Sequence, residues 1–311
     1  MIVITTPTGA IGHQVLEHVL GSDEPVRVIA RDAARIPEGQ RRRVEVVPGS
    51  HGDSAVVNQA FAGAETIFWL VPPDPHANSV DAAYLDFTRP ACDAFKKHGV
   101  KRVVGISALG RGTPWAANAG LVTASLKMDD LIASSGVSYR AVTNPSFMDN
   151  LLRQVESIGN QGVFSLPISG DLKQPSTCTR DIAATAARLL LDHTWTGVGH
   201  ASVLGPEDLS YNDMAQILSD VLGKRVRFQQ ISADAFKSRL LQRGMSEPMA
   251  QANVDMWNAY NQGLDTIEQR TRDSTTPTSF RQWCEEVLKP RALANERTQA
   301  TAPLAQPGAQ G

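Results

Sequence analysis

The feature that most constrains this chain is the glycine turn near its start. Ile2-Val3-Ile4 is a short β-branched run, residues 5–12 read TTPTGAIG, and Val15, Leu16, Val19 and Leu20 then recur at helical spacing. A strand, a tight glycine bend and a helix in that order open a dinucleotide-binding βαβ unit. Gly9 lets backbone approach a pyrophosphate. Gly12 lets the helix pack closely on the strand, so that its free N–H groups and positive dipole end face the phosphates. Thr6, Thr8, Ala10 and Ile11 complete the candidate cradle, with Thr8 either bonding a phosphate or capping the helix. The usual first glycine of such a turn falls at Thr6, with Pro7 after it. Thr6 is therefore expected to hold a conformation open to an ordinary residue, with Pro7 stiffening the bend. Taken alone, the turn also fits a strand–helix corner with no ligand.

The second strand bears on that choice. Pro25 to Ala30 reads as this strand, ending in Arg31-Asp32, about where the cofactor ribose is read in such units. A guanidinium suits a 2′-phosphate, so Arg31, with Arg35 one helical turn on, favours NADP over NAD. The alternatives are a solvated Arg31 and an Asp32 that caps the next short helix. Val44 to Val47 reads as a third strand, and Asp53 as the cap of a helix carrying Val56, Val57, Ala60 and Phe61. Thr66 to Val71 is a continuous apolar run, as in a strand buried on both faces. It ends at Pro72-Pro73-Asp74-Pro75, a stiff loop where open α/β sheets place ligands, which puts Val71 and Pro72 beside the cofactor.

A long helix is expected over 79–98, kinked at Pro90 and stopped by Gly99. Val103 to Ile106 is the fifth strand, with Ser107 at its end, placed to donate a hydrogen bond to a nicotinamide or a substrate carbonyl. Residues 122–134 form a helix carrying Lys127, and Tyr139 to Val142 is the sixth strand, running on to Pro145. This alternation predicts a doubly wound parallel sheet. Residues 1–155 are expected as the nucleotide-binding domain, 156–290 as a smaller interleaved α/β lobe, and 291–311, rich in Ala, Gln, Thr, Pro and Gly, as a disordered tail.

Composition narrows the function. A net charge of −2 over 311 residues gives no general attraction to nucleic acid or anionic membrane. Cys92, Cys178 and Cys284 are widely spaced and fit neither a disulfide framework nor a metal site. No apolar run approaches a membrane span, and a strand beginning at residue 2 leaves no room for a leader. The cytoplasm is the expected compartment.

With these residues laid out, the chain resembles the NmrA-like atypical short-chain dehydrogenases/reductases. The resemblance is carried by TPTGAIG at 6–12, ARD at 30–32, SALG at 107–110, and above all KMDDLIASSGVSYRAVTNPSFMDN at 127–150. TRDIA at 179–183 and SYNDMAQILSDVLGKRV at 210–226 extend it, over about residues 1–290 in all. The bacterial branch with triphenylmethane-dye and quinone reductases is the most similar. The resemblance implies a Rossmann domain holding NADP(H) and a substrate cleft under the smaller lobe. It assigns Gly9 and Gly12 to phosphate, Arg31 to the 2′-phosphate, Ser107 and Lys127 to the nicotinamide, and Pro145 to the cofactor, and it leaves room for a homodimer. Two departures stand out. Thr143-Asn144-Pro145 replaces the family's Leu-Arg-Pro, and Thr123 stands where the short-chain Tyr-x-x-x-Lys pair would have its tyrosine, so the standard general acid is missing.

The expected activity is hydride transfer from NADPH to a small hydrophobic electrophile, a quinone, dye, enone or imine, with Lys127 and Ser107 as the catalytic candidates. Trp115, Phe147, Met148, Trp257 and Tyr260 are expected to line an apolar, aromatic pocket. The alternative is a non-catalytic NADP-binding redox sensor.

Overall fold

The computed structural model describes residues 1–300, with side chains to residue 294. Seven strands make one parallel sheet: β1 (Ile2–Thr5), β2 (Val26–Ala30), β3 (Glu45–Pro48), β4 (Thr66–Trp69), β5 (Arg102–Ala108), β6 (Ser138–Asn144) and β7 (Val198–Ser202). Their spatial order is β7-β6-β5-β4-β1-β2-β3. The order turns back between β1 and β4, which creates a crevice at the carboxyl ends of these two strands. The buried Thr5 hydroxyl bridges that crevice, donating to the Phe68 carbonyl at 3.0 Å and accepting from the Leu70 N–H at 3.1 Å.

Alternation along each strand decides which face it covers. Ile2, Ile4, Val28, Phe68, Val104 and Val142 point to one side, where they pack with Val15, Leu16 and Val19 of helix Gly12–Val19 and Ile182, Ala183 and Ala186 of helix Thr179–Leu191. Val3, Ile29, Ile67, Trp69, Val103 and Tyr139 point to the other. There they meet Val57 and Phe61 of helix Ser54–Phe61, Phe95 of helix Phe87–His98, and Met128 and Ile132 of helix Leu121–Ser134. Burial on both faces is what makes these strands read as unbroken apolar runs.

Pro90 lies inside helix Phe87–His98, and a π turn at Ala82–Asp86 runs directly into that helix. Pro90 has no N–H for the Asp86 carbonyl, and the wider turn just before it takes up the mismatch. Gly99 ends the helix at φ +64°, as its position in the sequence suggests.

The stretch near His200 lies in the main sheet: Val198–Ser202 pairs parallel with β6, His200 opposite Ala141. The outer lobe has its own core, built on Phe164, Tyr211, Leu218, Trp257, Phe280 and Trp283. It carries a parallel pair of strands, Val163–Leu166 with Arg227–Gln230. The expected tail begins differently: helix Lys289–Ala300 covers its first residues, with Leu288 and Ala292 buried one turn apart. Residues 301–311 of that tail lie outside the described residues. Among the described residues no helix is long and apolar enough to cross a membrane, and no group of three His, Cys, Asp or Glu side chains could hold a metal.

Candidate functional site

The glycine turn sits at the crevice between β1 and β4. The Gly9 N–H donates to the Thr6 carbonyl at 2.9 Å, which closes the bend. A Cβ on residue 12 would stand 2.1 Å from the same carbonyl oxygen, so position 12 takes glycine alone. Helix Gly12–Val19 has no side-chain cap and no acidic residue in its first turn. Thr8 therefore does not cap it, and the helix start offers its N–H groups and dipole to an anion. His13 lies on the surface, its Nδ1 2.8 Å from the Gly9 carbonyl.

Thr6 departs from expectation. Its φ is +53°, the one positive value at a non-glycine position among the described residues. A β-branched residue thus occupies the left-handed conformation that the missing glycine would adopt freely. The Thr6 carbonyl must point inward to receive Gly9, and that requirement outweighs the local strain. The Thr6 hydroxyl is buried with no hydrogen-bond partner. A strained residue with an unpaired hydroxyl at a helix start suits a ligand oxygen there.

Arg31 follows the last residue of β2 and is exposed, as is Arg35. Neither forms an ion pair among the described residues, whereas nearby Arg42 pairs with Glu38. Asp32 accepts from the Ala34 N–H at 2.9 Å and caps the short helix Ala33–Arg35, leaving the guanidinium of Arg31 uncompensated. Beneath it lies His51, which the sequence did not single out. This side chain is buried, edge-on to Trp69 and Phe87, with Nε2 2.9 Å from the Leu70 carbonyl. Burial pushes its pKa down to about 4, with the Arg31 charge adding to the effect. Val71 is buried and Pro72 exposed in the loop after β4. Pro145 is buried after β6, where Asn144 ties the strand ends together by donating to the Ser107 carbonyl at 3.1 Å.

Ser107 is held differently from what its position in the sequence suggests. Its hydroxyl does not point outward as a donor but donates inward to Asp129 Oδ2 at 2.6 Å, with Ser125 Oγ 3.3 Å away. Asp129 Oδ1 accepts from the Tyr139 hydroxyl at 2.6 Å. Gly105 makes room for this: a Cβ there would lie 2.3 Å from the Tyr139 oxygen. Arg111 approaches Asp129 from the rim at 3.6 Å. Desolvation pushes the Asp129 carboxyl up to about 6, against the pull of the Ser107 and Tyr139 hydroxyls.

Lys127 lies one turn from Thr123 on helix Leu121–Ser134, its side chain 51% exposed and paired with Asp81 at 3.3 Å. The Thr123 hydroxyl is spent locally, donating to the Ala116 carbonyl and accepting from the Ala119 N–H. Lys127 borders a cleft of about 400 Å³, lined also by Val80, Asp81, Ala117, Asn118, Ala124 and Asp255. This lining is mixed and carries no aromatic ring.

The aromatic pocket is where the structure departs furthest from the sequence-based expectation. Met148, Trp257 and Tyr260 are buried in the core of the outer lobe, with Trp115 packed against it. The Trp257 and Tyr260 rings meet at 5.4 Å, and Tyr211 and Phe236 each lie 6.4 Å from Trp257. These rings fill one another's space rather than a ligand's. Phe147 packs half-buried against the main-sheet core. One further group went unmarked in the sequence. Asp265 is 2% exposed and neither carboxyl oxygen has a well-formed hydrogen bond. Burial raises its pKa to about 8, offset in part by the Ser146 backbone.

A seven-stranded parallel sheet with a glycine-turned helix start at its switch point defines a dinucleotide-binding α/β protein. Residues 1–283 match the NmrA-like family, and the chain belongs to it. It is 29% identical over 297 residues to (4-alkanoyl-5-oxo-2,5-dihydrofuran-3-yl)methyl phosphate reductase of Streptomyces griseus, spanning 92% of this chain and 97% of that one. It is 28% identical over 261 residues to the NAD(P)H azoreductase of Xenophilus azovorans, spanning 83% and 86%. Among solved structures it resembles the triphenylmethane reductase of Citrobacter sp. complexed with NADP(H), at TM-score 0.73 and 20% identity over 94% of this chain and 100% of that one. That likeness is one of fold.

Proposed function

We propose that the protein is an NADPH-dependent reductase acting on a small electrophile with an apolar body and a polar acceptor atom: a quinone, dye, enone or imine. One observation carries the reading. Gly12 is pressed against the Thr6 carbonyl at the foot of an uncapped helix, beside an Arg31 with no ion-pair partner among the described residues. The curated relatives named above as reductases support it.

NADPH, when bound, supplies the hydride. The chain supplies the rest. Ala10, Ile11 and Gly12 would present their backbone N–H groups to the pyrophosphate, the Gly9 N–H being held by Thr6, and Arg31 would read the 2′-phosphate. Thr6, Thr8, Val71, Pro72 and Pro145 border the path along the strand ends. Lys127 exchanges its contact with Asp81 for the nicotinamide ribose and polarises the acceptor atom of the substrate. Val80, Ala117 and Ala124 offer the cleft's apolar surface, and Lys127 and Asn118 its polar one.

The test is loss of NADPH absorbance on addition of quinones, triphenylmethane or azo dyes, enones and imines. Substrate-dependent oxidation of NADPH, faster than that of NADH, is the expected result; tight binding with no turnover contradicts it. One observation favours a non-catalytic NADP-binding sensor: Thr123, not a tyrosine, stands four residues before Lys127, and Lys127 is itself engaged by Asp81. Equal affinity for NADPH and NADP⁺ without consumption selects that reading.

A further inference from the structure

We propose that the Asp129 carboxyl decides whether the Ser107 hydroxyl donates or accepts at the carboxyl end of β5, and is the positioning group that lets this site deliver a proton without a tyrosine. The inference rests on the reductase reading for its catalytic consequence, but its structural core stands apart from it.

The geometry is specific. Asp129 is 4% exposed, and its two oxygens are shared between two hydroxyls, Ser107 on β5 and Tyr139 on β6, each at 2.6 Å. A hydroxyl has one proton to give. While Asp129 is ionised, it takes that proton's hydrogen bond, and Ser107 can only accept from any further partner. Once Asp129 is protonated, its own O–H can donate to Ser107, and the Ser107 proton is free to turn outward. Ser125, which touches Ser107, lies on the same helix as Thr123, Ala124 and Lys127 of the cleft lining, so this helix joins the switch to the cleft.

The balance of the reduction is simple. Hydride from NADPH and one proton saturate a C=O, C=N or conjugated C=C bond. The proton leaves Ser107 Oγ, the Asp129 carboxyl proton replaces it, and water at the Arg111 rim restores Asp129. Arg111 is half exposed there, bonded to Asp130 at 2.9 Å and to the Leu126 carbonyl at 3.0 Å. The other groups that bear on Asp129 are Asp130 on its own helix and Cys92, which faces Tyr139 from helix Phe87–His98. Asp130 and the desolvated pocket favour the protonated form. Arg111, Ser107 and Tyr139 favour the ionised one.

The test follows the Asp129 carboxyl carbon by NMR in aspartate-labelled protein between about pH 4 and 8, assigned with Asp129→Asn, alongside kcat/KM over the same range. The carbon should titrate near pH 6. Ser107→Ala and Tyr139→Phe should each move that titration to higher pH, because each removes a donor to the ionised form. kcat/KM should rise as pH falls through the same midpoint, with this limb gone in Asp129→Asn and Ser107→Ala and displaced upward in Tyr139→Phe. A carbon that titrates below about pH 4 like an exposed aspartate, or a midpoint untouched by both hydroxyl variants, overturns the proposal. So does a limb that survives in Asp129→Asn. If no electrophile oxidises NADPH, the reductase reading fails by itself, and the carbon titrations still decide the role of Asp129.

Discussion

The carbonyl oxygen of Thr6 lies 2.1 Å from where a Cβ on residue 12 would stand. A left-handed threonine and an obligate glycine therefore depend on one another: the φ of +53° at Thr6 aims the carbonyl that Gly12 must make room for. Gly12→Ala should lift the helix off β1, lower stability by about 1–3 kcal/mol through overpacking, and abolish NADPH binding. Thr6→Gly should relieve about 1–2 kcal/mol of left-handed strain while losing about 0.5–1 kcal/mol to unfolded-state entropy. A net gain of about 0–1.5 kcal/mol, with NADPH binding kept, is expected. Thermal melts and calorimetry check both variants, and a strongly destabilised Thr6→Gly protein speaks against strain at this residue.

Lys127 and Asp81 form an ion pair across the mouth of the cleft. Both side chains are about half exposed, so the pair itself adds little to stability. Lys127→Met should leave the melting temperature nearly unchanged and lower kcat about 10²-fold or more. Asp81→Asn frees the ammonium and should lower KM with kcat kept. Steady-state kinetics with one quinone separate these outcomes; unchanged kcat in Lys127→Met removes Lys127 from the chemistry.

Asp265 makes stability depend on pH. Its folded-state pKa, about 8, lies above the unfolded value, so the folded protein holds a proton that the unfolded chain releases. Its contribution is fully present below the unfolded pKa of about 4 and falls as pH rises toward 8, by up to about 1.4 kcal/mol per unit. Asp265→Asn cannot lose that proton. Relative to the parent, it should melt higher at pH 8 and gain least at pH 4. A difference that is flat with pH contradicts a neutral Asp265 in the fold.

The sheet was legible because its strands are buried on both faces, so runs such as Thr66-Ile67-Phe68-Trp69 need no alternation to declare themselves. Helix ends were legible where a side chain or glycine does the capping: Asp53 accepts from the Ala55 N–H at 2.8 Å, and Gly99 adopts φ +64°. The glycine bend and the helix start after β1 followed from the same local rules. The surroundings of Ser107 did not. Asp129 sits in an ordinary helical pattern, and nothing in spacing says that Tyr139, on the next strand, reaches it. One cue was present: Gly105 interrupts a β-branched strand, which signals a close approach. Asp265 follows Leu264, which packs against Gly110 and draws the carboxylate inside. Trp257 and Tyr260 misled because an aromatic ring on a helix fits a core and a pocket equally well until its neighbours are known.

Whether this cradle holds a 2′-phosphorylated nicotinamide nucleotide is asked most directly by titration calorimetry with NADPH and NADH, on the parent and on Arg31→Glu. The parent should bind NADPH more tightly than NADH. Arg31→Glu should weaken NADPH by about 1.5–3 kcal/mol, roughly tenfold to a hundredfold, and leave NADH far less affected. No heat with either nucleotide, or an equal loss for both in the variant, contradicts the assignment of this cradle to NADPH.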